Sequence, residues 1–390
     1  MQLVAYGAQD IYLTGNPQIT FFKVVYRRHT NFSMESIQQT WNGTANGGDG
    51  SRCTATISRN GDLVHKMYIQ VDKVGNMKKI NGGADWIKTA TLEIGGQQID
   101  KITGQWMEVW SELTEPNPTG ATLNASSNGT SFQNMSGFGG VQVGASVSAS
   151  NIYVPLPFWF CRNPGLALPL IALQYHEVKL VLEHGLTASI NTSPEQNLWV
   201  DYIYLDTDER RRFAQVSHEY LIEQLQYQQM TEQNQRLNFN HPVKELVWCN
   251  ASTAAGSISH AQLLKNASAV YSDTTWQLKL NGHDRFAARP STYFTRQQVY
   301  DYHSGHGGVN ASDSNYTSIF DSIFVYSFAL KPEEHQPSGT CNFSRIDNAE
   351  LKCSGGTGGF DKNKSAWTVY AVNYNVLRIM SGMGGLAYSN

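Results

Sequence analysis

Short runs in which apolar and polar residues alternate, or in which β-branched and aromatic residues concentrate, make up the first half of the chain. Such runs predict strands, at Asn31–Trp41, Arg52–Ser58, Leu63–Asp72, Trp86–Ile94, Asn151–Phe160, Leu173–Glu183 and Leu198–Leu205. Turn signals separate several of them, at Asn42-Gly43, Asn60-Gly61 and Gly95-Gly96. The stretch Gln105–Leu113, QWMEVWSEL, instead spaces its apolar residues as a helix does, so we expect one short helix there.

The second half repeats motifs of the first half. Three of them return in the same order: Met34–Gln38 as Ile222–Gln226, Leu92–Gly96 as Leu278–Gly282, and Phe158–Phe160 as Phe328–Leu330. The first pair is displaced by 188 positions and the second by 186. Since the repeats of a solenoid are far shorter, this period indicates two copies of one domain.

Strands are predicted in the second copy by the same patterns, at Tyr220–Gln228, Arg236–Asn240, Glu245–Cys249, Thr275–Leu280, Ile319–Leu330, Cys341–Leu351 and Thr368–Met380. Residue propensities alone would make 218–230 a helix. Its partner in the first copy, residues 32–39, alternates as a strand does. We therefore predict a strand here as well.

Long polar segments interrupt both copies, at 114–150, 250–274 and 301–318. Segments of this length are uncommon inside a compact domain, so we expect surface loops that carry a function. Seven or eight strands per copy with almost no helix predict a sandwich or a barrel. A jelly roll tolerates long loops at one end, and the Cys–Trp–Cys pattern of immunoglobulin domains is absent. The expected fold class is all-β, with two consecutive eight-stranded jelly-roll barrels, long loops and very little helix.

The repeat divides the chain into four parts. Residues 1–25 precede the first copy and form an N-terminal arm, and residues 26–206 form the first jelly roll. Residues 207–216 are an inter-barrel linker, and residues 217–390 form the second jelly roll with a C-terminal tail. The linker reads as a charged turn, and its arginines Arg210–Arg212 are interpreted as setting the angle between the barrels. Reversing their charge is expected to loosen the packing of the barrels.

Composition and charge narrow the possible functions. A net charge of −3 and a pI near 6.4 argue against a general nucleic-acid binder, which needs a basic surface. The short basic clusters Arg27–His29 and Arg210–Arg212 are interpreted as solvated turns or subunit contacts. Five cysteines without CxxC spacing predict reduced thiols in a protein that matures in a cytoplasm. We expect no signal peptide at Met1–Asp10 and no membrane-spanning segment.

One acidic cluster, Asp206, Asp208 and Glu209, could be taken for catalytic carboxylates or a metal site. Three arginines follow it directly, in the segment between the two copies. We therefore interpret the cluster as part of a salt-bridged linker.

A group of histidines suggests zinc, which imidazole groups bind well. The group comprises His283, Asp284, His303 and His306. The last two lie in a polar segment without a third ligand at useful spacing, so buried, hydrogen-bonded or surface histidines are the better interpretation. The motifs of known hydrolases, nucleotide-binding proteins and cupins are absent in a supporting context. No catalytic, cofactor-binding or metal site is predicted.

Twelve Asn-x-Ser/Thr motifs occur in the chain, and they crowd into the long polar segments. The glycosylation candidates are Asn124, Asn128, Asn134, Asn250, Asn266, Asn310 and Asn315. Many such motifs arise by chance in a chain rich in Asn and Ser, so their crowding mainly predicts that these segments face outward.

Several blocks spread over the whole chain resemble one protein family. They are YGAQDIYLTGNPQITFFKVVYRRHTNF at 6–32, ISRNGDL at 57–63, GLALPLIALQYHEVKL at 165–180, VDYIYLDTDERRRFAQ at 200–215, HEYLIEQLQ at 218–226, QPSGTCNFSRIDNA at 336–349 and NYNVLRIMSGMGGLAYSN at 373–390. The chain is similar to the major capsid proteins of large icosahedral nucleocytoplasmic double-stranded DNA viruses, above all those of algal phycodnaviruses. The departures lie in the three long loops.

The resemblance implies a double jelly roll, three copies of which form a pseudo-hexagonal capsomer that tiles the outer shell of a virion. It further implies assembly in the host cytoplasm, contact with neighbouring capsomers and with minor capsid and penton proteins, and glycosylation. The arm 1–25 would lie at the inner base, above an internal membrane into which the protein does not insert, and nucleic acid would not be bound directly. Such a protein is a structural subunit without a cofactor or an enzymatic activity.

Two other functions stay open on the residues alone. Jelly rolls also serve lectins, so a carbohydrate-binding protein is the alternative. A capsomer that additionally attaches to host surface glycans through its loops is a third hypothesis.

Overall fold

The computed structural model describes residues 32–76, 84, 86–116, 130–136, 148–189, 193–250, 274–307, 309–311, 319–321, 323–355 and 367–388. Within these residues the chain forms two barrels of short antiparallel strands. The arm 1–25 and most of the three long polar segments lie outside the described residues.

The first barrel consists of two facing sheets. Its strands are β1 (Phe32–Gln39), β2 (Trp41–Gly43), β3 (Ser51–Thr56), β4 (Leu63–Asn76), β5 (Ile87–Ile94), β6 (Gln97–Thr103), β7 (Ser148–Pro155), β8 (Leu168–Pro169), β9 (Val178–His184) and β10 (Glu195–Leu205). Sheet 1a has the order β1-β10-β4-β7, and sheet 1b has the order β2-β3-β9-β5-β6. The short strand β8 pairs with β4.

The second barrel repeats this arrangement. Its strands are β11 (His218–Met230), β12 (Asn234–Arg236), β13 (Pro242–Asn250), β14 (Thr274–Leu280), β15 (His283–Asp284), β16 (Arg289–Pro290), β17 (Val309–Ala311), β18 (Ile319–Asp321), β19 (Ile323–Ser327), β20 (Cys341–Asn342), β21 (Ala349–Gly355), β22 (Trp367–Met380) and β23 (Met383–Leu386). Sheet 2a has the order β11-β22-β13-β19, and sheet 2b has the order β12-β21-β14-β15. β17 and β18 form a separate hairpin.

The strand order is the same in the two barrels. Numbering the eight principal strands of each barrel along the chain gives 1-8-3-6 for sheets 1a and 2a, and 2-7-4-5 for sheets 1b and 2b. This is the jelly-roll topology, in which the first strand pairs with the last. The fold is therefore a double jelly roll, as the strand patterns and the repeat predict.

Short helices lie between the strands. They are α1 (Gly104–Thr114), α2 (Ser131–Ser136), α3 (Trp159–Arg162), α4 (Leu186–Ser189), α5 (Thr207–Gln215) and α6 (Gln298–Tyr302), which continues a π-helical turn at Tyr293–Gln297. The helix expected at 105–113 is confirmed as α1. No helix of the described ranges combines the length and the apolar character needed to cross a bilayer.

The two copies of sheet a differ in how they are buried. Along β10 buried residues alternate with partly exposed ones, because only one face of sheet 1a lies in the barrel core. Residues 367–375 of β22 and 243–249 of β13 are all buried. Sheet 2a is thus covered on both faces, on one by its own barrel and on the other by the first barrel.

Some predicted strands are wrong at their ends. Strand β7 ends at Pro155, Phe158 is the N-cap of α3, and Trp159 and Phe160 are the first residues of that helix. Residues 173–177 precede β9 as turns. The strand expected at 236–240 ends at Arg236, and of the one expected at 319–330 the described residues form β18 and β19, with β19 ending at Ser327. Residues 341–351 form β20, a 3₁₀ turn at Phe343–Arg345 and the start of β21. Strand β6 was not anticipated; it forms because Gly95 and Gly96 adopt the positive φ angles of a tight hairpin turn.

The repeat itself is confirmed, with one shift of register. The turns at Gly95-Gly96 and Asn281-Gly282 occupy the same place in both barrels and share positive φ angles. The match of Met34–Gln38 to Ile222–Gln226 is off by one residue. The Oε1 atom of Gln39 accepts the Ser58 N–H at 2.9 Å, and that of Gln226 accepts the Asn240 N–H at 3.0 Å, both in the segment before the third strand. Gln39 and Gln226 are therefore equivalent, and the displacement between the two copies at this strand is 187 residues. A displacement of 188 would align side chains that point to opposite faces of the sheet.

Helix α5 replaces the charged turn expected between the barrels. Asp206 is its N-cap and accepts the Thr207 N–H at 2.7 Å, and Asp208 and Glu209 stand in the first turn, where negative charge is favoured. Arg210 pairs with Asp62 of the first barrel at 3.0 Å, and Phe213 packs on an apolar cluster of that barrel. The linker is salt-bridged as expected. The partner of Arg210 lies in the first barrel, however, so this ion pair does not set the angle between the barrels.

Candidate functional site

The contact between the two barrels is called the seam. From the first barrel it takes α1, β6 and α3, and from the second barrel it takes the outer face of sheet 2a. It has an apolar part, a hydrogen-bonded strand edge and two buried groups of charges.

Helix α1 supplies the apolar part of the seam. Thr103 caps the helix by accepting the Trp106 N–H at 3.1 Å, which fixes where α1 begins. The Trp106 ring lies 5.0 Å from the ring of Tyr370 on β22. The Tyr370 hydroxyl donates to Gln105 Oε1 at 2.7 Å, so the buried polar group is satisfied. Residues of the outer face of sheet 2a join the same apolar cluster, namely Val247, Cys249, Ile323, Val325 and Val372.

Strand β11 is an edge strand, and the first barrel covers part of its edge. The Leu225 N–H donates to Asp100 Oδ1 on β6 at 3.0 Å, and Gln224 Nε2 donates to the Ile99 carbonyl. Burial raises the pKa of Asp100 to about 7, although two N–H groups and Arg162 act against this shift. An edge strand offers unpaired backbone groups to any other strand, and this contact removes part of that risk within the chain.

A buried cluster of charges joins the barrels beside this edge. Glu223 of β11 binds Arg162 of the first barrel at 2.6 Å, Lys244 at 2.8 Å and His335 at 3.4 Å. Arg162 also lies over the Trp110 ring of α1, 4.8 Å from its centroid. Burial alone would raise the pKa of Glu223, but the charges of Arg162 and Lys244 and the hydrogen bond with His335 lower it to about 2. Burial lowers the pKa of Lys244, and the Glu223 carboxylate opposes that shift.

A second buried group centres on His303, directly after α6. Its Nε2 atom lies 3.0 Å from Glu245 Oε2, and its Nδ1 atom lies 3.1 Å from Glu333 Oε1. Burial lowers the pKa of His303, but the two carboxylates outweigh burial and raise it to about 9. The imidazolium is therefore the form present at neutral pH, and it fixes the start of the turn that follows.

That turn caps the C-terminal end of α1. The Gly305 N–H donates to the Leu113 carbonyl at 2.7 Å, and the Gly307 N–H donates to the Glu112 carbonyl at 2.8 Å. The last carbonyls of a helix have no hydrogen-bond donor inside the helix, and here N–H groups of the second barrel donate to them. A Cβ atom on Gly305 would overlap the backbone of Glu112 and Leu113. Glycine is thus required by the close approach of the two barrels.

The histidines that suggested zinc are not brought together. His283 and Asp284 form the exposed strand β15, while His303 is buried between two carboxylates and His306 lies in the turn after it. The part of the chain that the structure describes contains no group of three His, Cys, Asp or Glu residues arranged for a metal ion. All five cysteines are free, as expected.

Three of the glycosylation candidates lie on described residues. Asn134 is exposed on α2, Asn250 is the last residue of β13, and Asn310 lies in β17. The remaining candidates lie outside the described residues, namely Asn124, Asn128, Asn266 and Asn315.

Sequence reasoning missed the residues of the seam. Its partners are far apart in the chain, and nothing local marks Arg162 or Asp100. One signal could have been read: Lys244 and Glu245 interrupt the largely apolar strand β13. Charges at such positions are rarely buried unless they are paired, so they point to a contact between elements.

Comparisons with known proteins agree with this architecture barrel by barrel. Residues 20–206 match a family described as major capsid protein N-terminus, and residues 209–385 match one described as large eukaryotic DNA virus major capsid protein. The chain is 51% identical to the major capsid protein of Pyramimonas orientalis virus, covering 100% of this chain and 99% of that protein. It is 42% identical to the major capsid protein of Paramecium bursaria Chlorella virus 1, with the same coverage.

Solved structures give the same result. A chain in a quasi-atomic model of the PBCV-1 virus capsid has a TM-score of 0.74 and 38% identity, covering 95% of this chain and 100% of that one. The Faustovirus major capsid protein has a TM-score of 0.65 at 12% identity, covering 96% of this chain and 94% of that chain, and supports the fold alone. The chain belongs to the major capsid proteins of large eukaryotic DNA viruses.

Proposed function

We propose that this capsid protein assembles as a homotrimer, a pseudo-hexagonal capsomer that tiles the icosahedral outer shell of the virion. The observation that carries the proposal is the pair of barrels with one strand order, joined by a buried seam. Three such chains around a threefold axis present six similar barrels, an outline that packs on a flat facet. A seam closed by apolar packing and buried ion pairs holds the two barrels in one orientation, which such tiling requires.

The division of the chain follows from the same view. We assign residues 1–25 to an arm, 26–206 to the first jelly roll, 207–216 to the linker and 217–390 to the second jelly roll with its tail. The strands of the barrels lie inside these limits, and α5 occupies the linker.

Other partners are proposed from the family. Neighbouring capsomers, minor capsid proteins and penton proteins would surround the trimer, with the arm above an internal membrane that the protein does not enter. Assembly would take place in the host cytoplasm, without enzymatic activity, cofactor or direct binding of nucleic acid. The loops would carry any glycans, at candidates such as the exposed Asn134, and would meet host surface glycans. The lectin-like alternative has no support among the related proteins, which are capsid proteins.

Light scattering coupled to gel filtration tests the trimer. Purified protein at micromolar concentration should have three times the 43.4 kDa mass of the chain. Negative-stain images of the same fraction should show a hexagonal outline. A stable monomer at that concentration would contradict the proposal.

A further inference from the structure

A cavity of about 490 Å³ opens at the end of the first barrel that carries the linker. Its walls come from residues 59–62 after β3, from residues 170–174 between β8 and β9, from Tyr204 of β10 and from Arg210 of α5. It is separate from the seam, which is built from α1, β6, α3 and sheet 2a.

Two arginines give the cavity a positive charge. Arg210 binds Asp62 through Nε at 3.0 Å, and Asp62 also accepts the Leu205 N–H at 2.8 Å. One terminal nitrogen of Arg59 donates to the Leu173 carbonyl. A guanidinium group has five N–H donors, so both arginines keep donors beyond these contacts. With two arginines and one aspartate in the lining, the described walls carry a net charge of +1.

The remaining walls are partly apolar. Leu170 and Ile171 line the cavity together with Tyr204. The Tyr204 hydroxyl donates to Glu35 of β1 at 3.1 Å, so this polar group already has a partner. Guanidinium groups bind carboxylates through charge-assisted hydrogen bonds. The cavity therefore fits a carboxylate that has apolar side chains beside it.

The segment of the chain that precedes β1 is attached beside this cavity. Phe32 is the first residue of β1 and pairs with Leu205. The Leu205 N–H binds Asp62 in the cavity wall, so the segment joins the barrel next to the cavity. Asp10 precedes Phe32 by 22 positions. A chain of that length spans about 70 Å when it is fully extended, so Asp10 can reach every part of the cavity.

The composition of this segment matches the cavity. Residues 1–31 contain a single carboxylate side chain, that of Asp10. Three apolar or aromatic residues follow it directly, namely Ile11, Tyr12 and Leu13. A carboxylate followed by apolar side chains is the group that two arginines beside an apolar wall accommodate.

We infer that Asp10 binds Arg59 and Arg210 in this cavity, so that each chain anchors its N-terminal arm on its own first barrel. The carboxylate balances the charge of the lining, and the side chains after it cover Leu170 and Ile171. The inference rests on the arm of the proposed domain division and not on the proposed trimer, because both binding groups belong to one chain.

Chymotrypsin measures how often the arm leaves the cavity. The enzyme cuts after aromatic residues, and Tyr12 lies two positions after the anchor. Cleavage at Tyr12 in the full-length protein should be about tenfold faster in Asp10→Asn and in Arg59→Gln, since each loses a charge-assisted hydrogen bond. Arg59→Gln leaves the cleavage site itself unchanged. The control Arg52→Gln, at an exposed arginine of β3 outside the cavity, should be cleaved at the wild-type rate.

A disulfide bond tests the position of the arm directly. Gln9→Cys places a thiol beside Asp10, and Asn60→Cys places one on the cavity wall. Mild oxidation should join the two thiols within one chain, which a non-reducing gel and peptide mapping identify. Adding Asp10→Asn to this pair should lower the yield several-fold. Gln9→Cys with Gln229→Cys is the control and should not cross-link, because Gln229 is exposed at the end of β11 far from the linker.

The outcomes separate this proposal from others, and circular dichroism verifies that each variant is folded. Equal cleavage of all variants, or a cross-link yield no higher than that of the control, would overturn the anchoring of the arm. A cross-link that joins two chains would show that the arm of a neighbouring copy fills the cavity and would overturn the assignment to the same chain. A monomeric wild-type protein whose cross-link forms within one chain would overturn the trimer alone and leave the anchor standing.

Discussion

Arg162→Ala tests whether the buried ion pair with Glu223 holds the two barrels together. The substitution removes the 2.6 Å contact across the seam and the stacking of Arg162 over Trp110. It leaves the Glu223 side chain, which is 3% exposed, with Lys244 and His335 as its remaining partners.

The expected cost follows from burial and from the pKa of Glu223. Removing one partner of a buried pair costs about 3–5 kcal/mol when the other charge is left alone. The drop of the Glu223 pKa from 4.5 to about 2, which is the net of burial and of its partners, corresponds to a net stabilisation of the carboxylate of roughly 3 kcal/mol. Because Lys244 still neutralises Glu223, we expect Arg162→Ala to lower the free energy of unfolding by about 2–3 kcal/mol.

Urea unfolding followed by tryptophan fluorescence measures this cost, at one fixed chain concentration because assembly adds to apparent stability. Arg378→Ala is the matched control. Arg378 on β22 binds Glu219 at 2.8 Å, and Glu219 lies on β11, the strand that also carries Glu223. Both side chains of this control pair are about half exposed. Exposed pairs contribute about 0–1 kcal/mol. The reasoning would be refuted if Arg162→Ala cost no more than Arg378→Ala.

Three further outcomes are expected. Gly305→Ala should lower the free energy of unfolding by about 1–3 kcal/mol in the same urea assay, because its Cβ would press on the end of α1. The control Gly48→Ala should change it by less than about 0.5 kcal/mol, because only one side-chain atom lies near the added Cβ. Equal effects of the two substitutions would contradict the capping contact. The pKa of His303 is raised from 6.5 to about 9, so its stabilising contribution is complete below about pH 6.5 and is lost as the pH rises through about 9. The melting temperature of the wild type should therefore fall over this range more steeply than that of His303→Gln, and parallel curves would exclude the effect. Arg210→Ala should cost about 1 kcal/mol or less, since Arg210 is 56% exposed and its partner Asp62 belongs to the first barrel; a loss as large as that of Arg162→Ala would show that the linker does hold the barrels.

Local patterns determined most of the elements and their repetition. Alternation in β10, helical spacing in α1 and the glycine turn at Gly95-Gly96 are properties of neighbouring residues, so they can be read along the chain. The strand at His218–Met230 required the repeat, because propensity alone favours a helix there and tertiary pairing with β22 decides the outcome.

The seam was decided by tertiary structure alone. Arg162 and Glu223 are 61 positions apart, and the Gly305 contact with α1 joins segments nearly two hundred positions apart. The strand pattern allows the outer face of either sheet a to be exposed, and only the packing of α1 on sheet 2a shows which one the chain covers itself. The sequence determined two similar barrels because their signals are local. Which faces meet depends on side chains that become neighbours only after both barrels have folded.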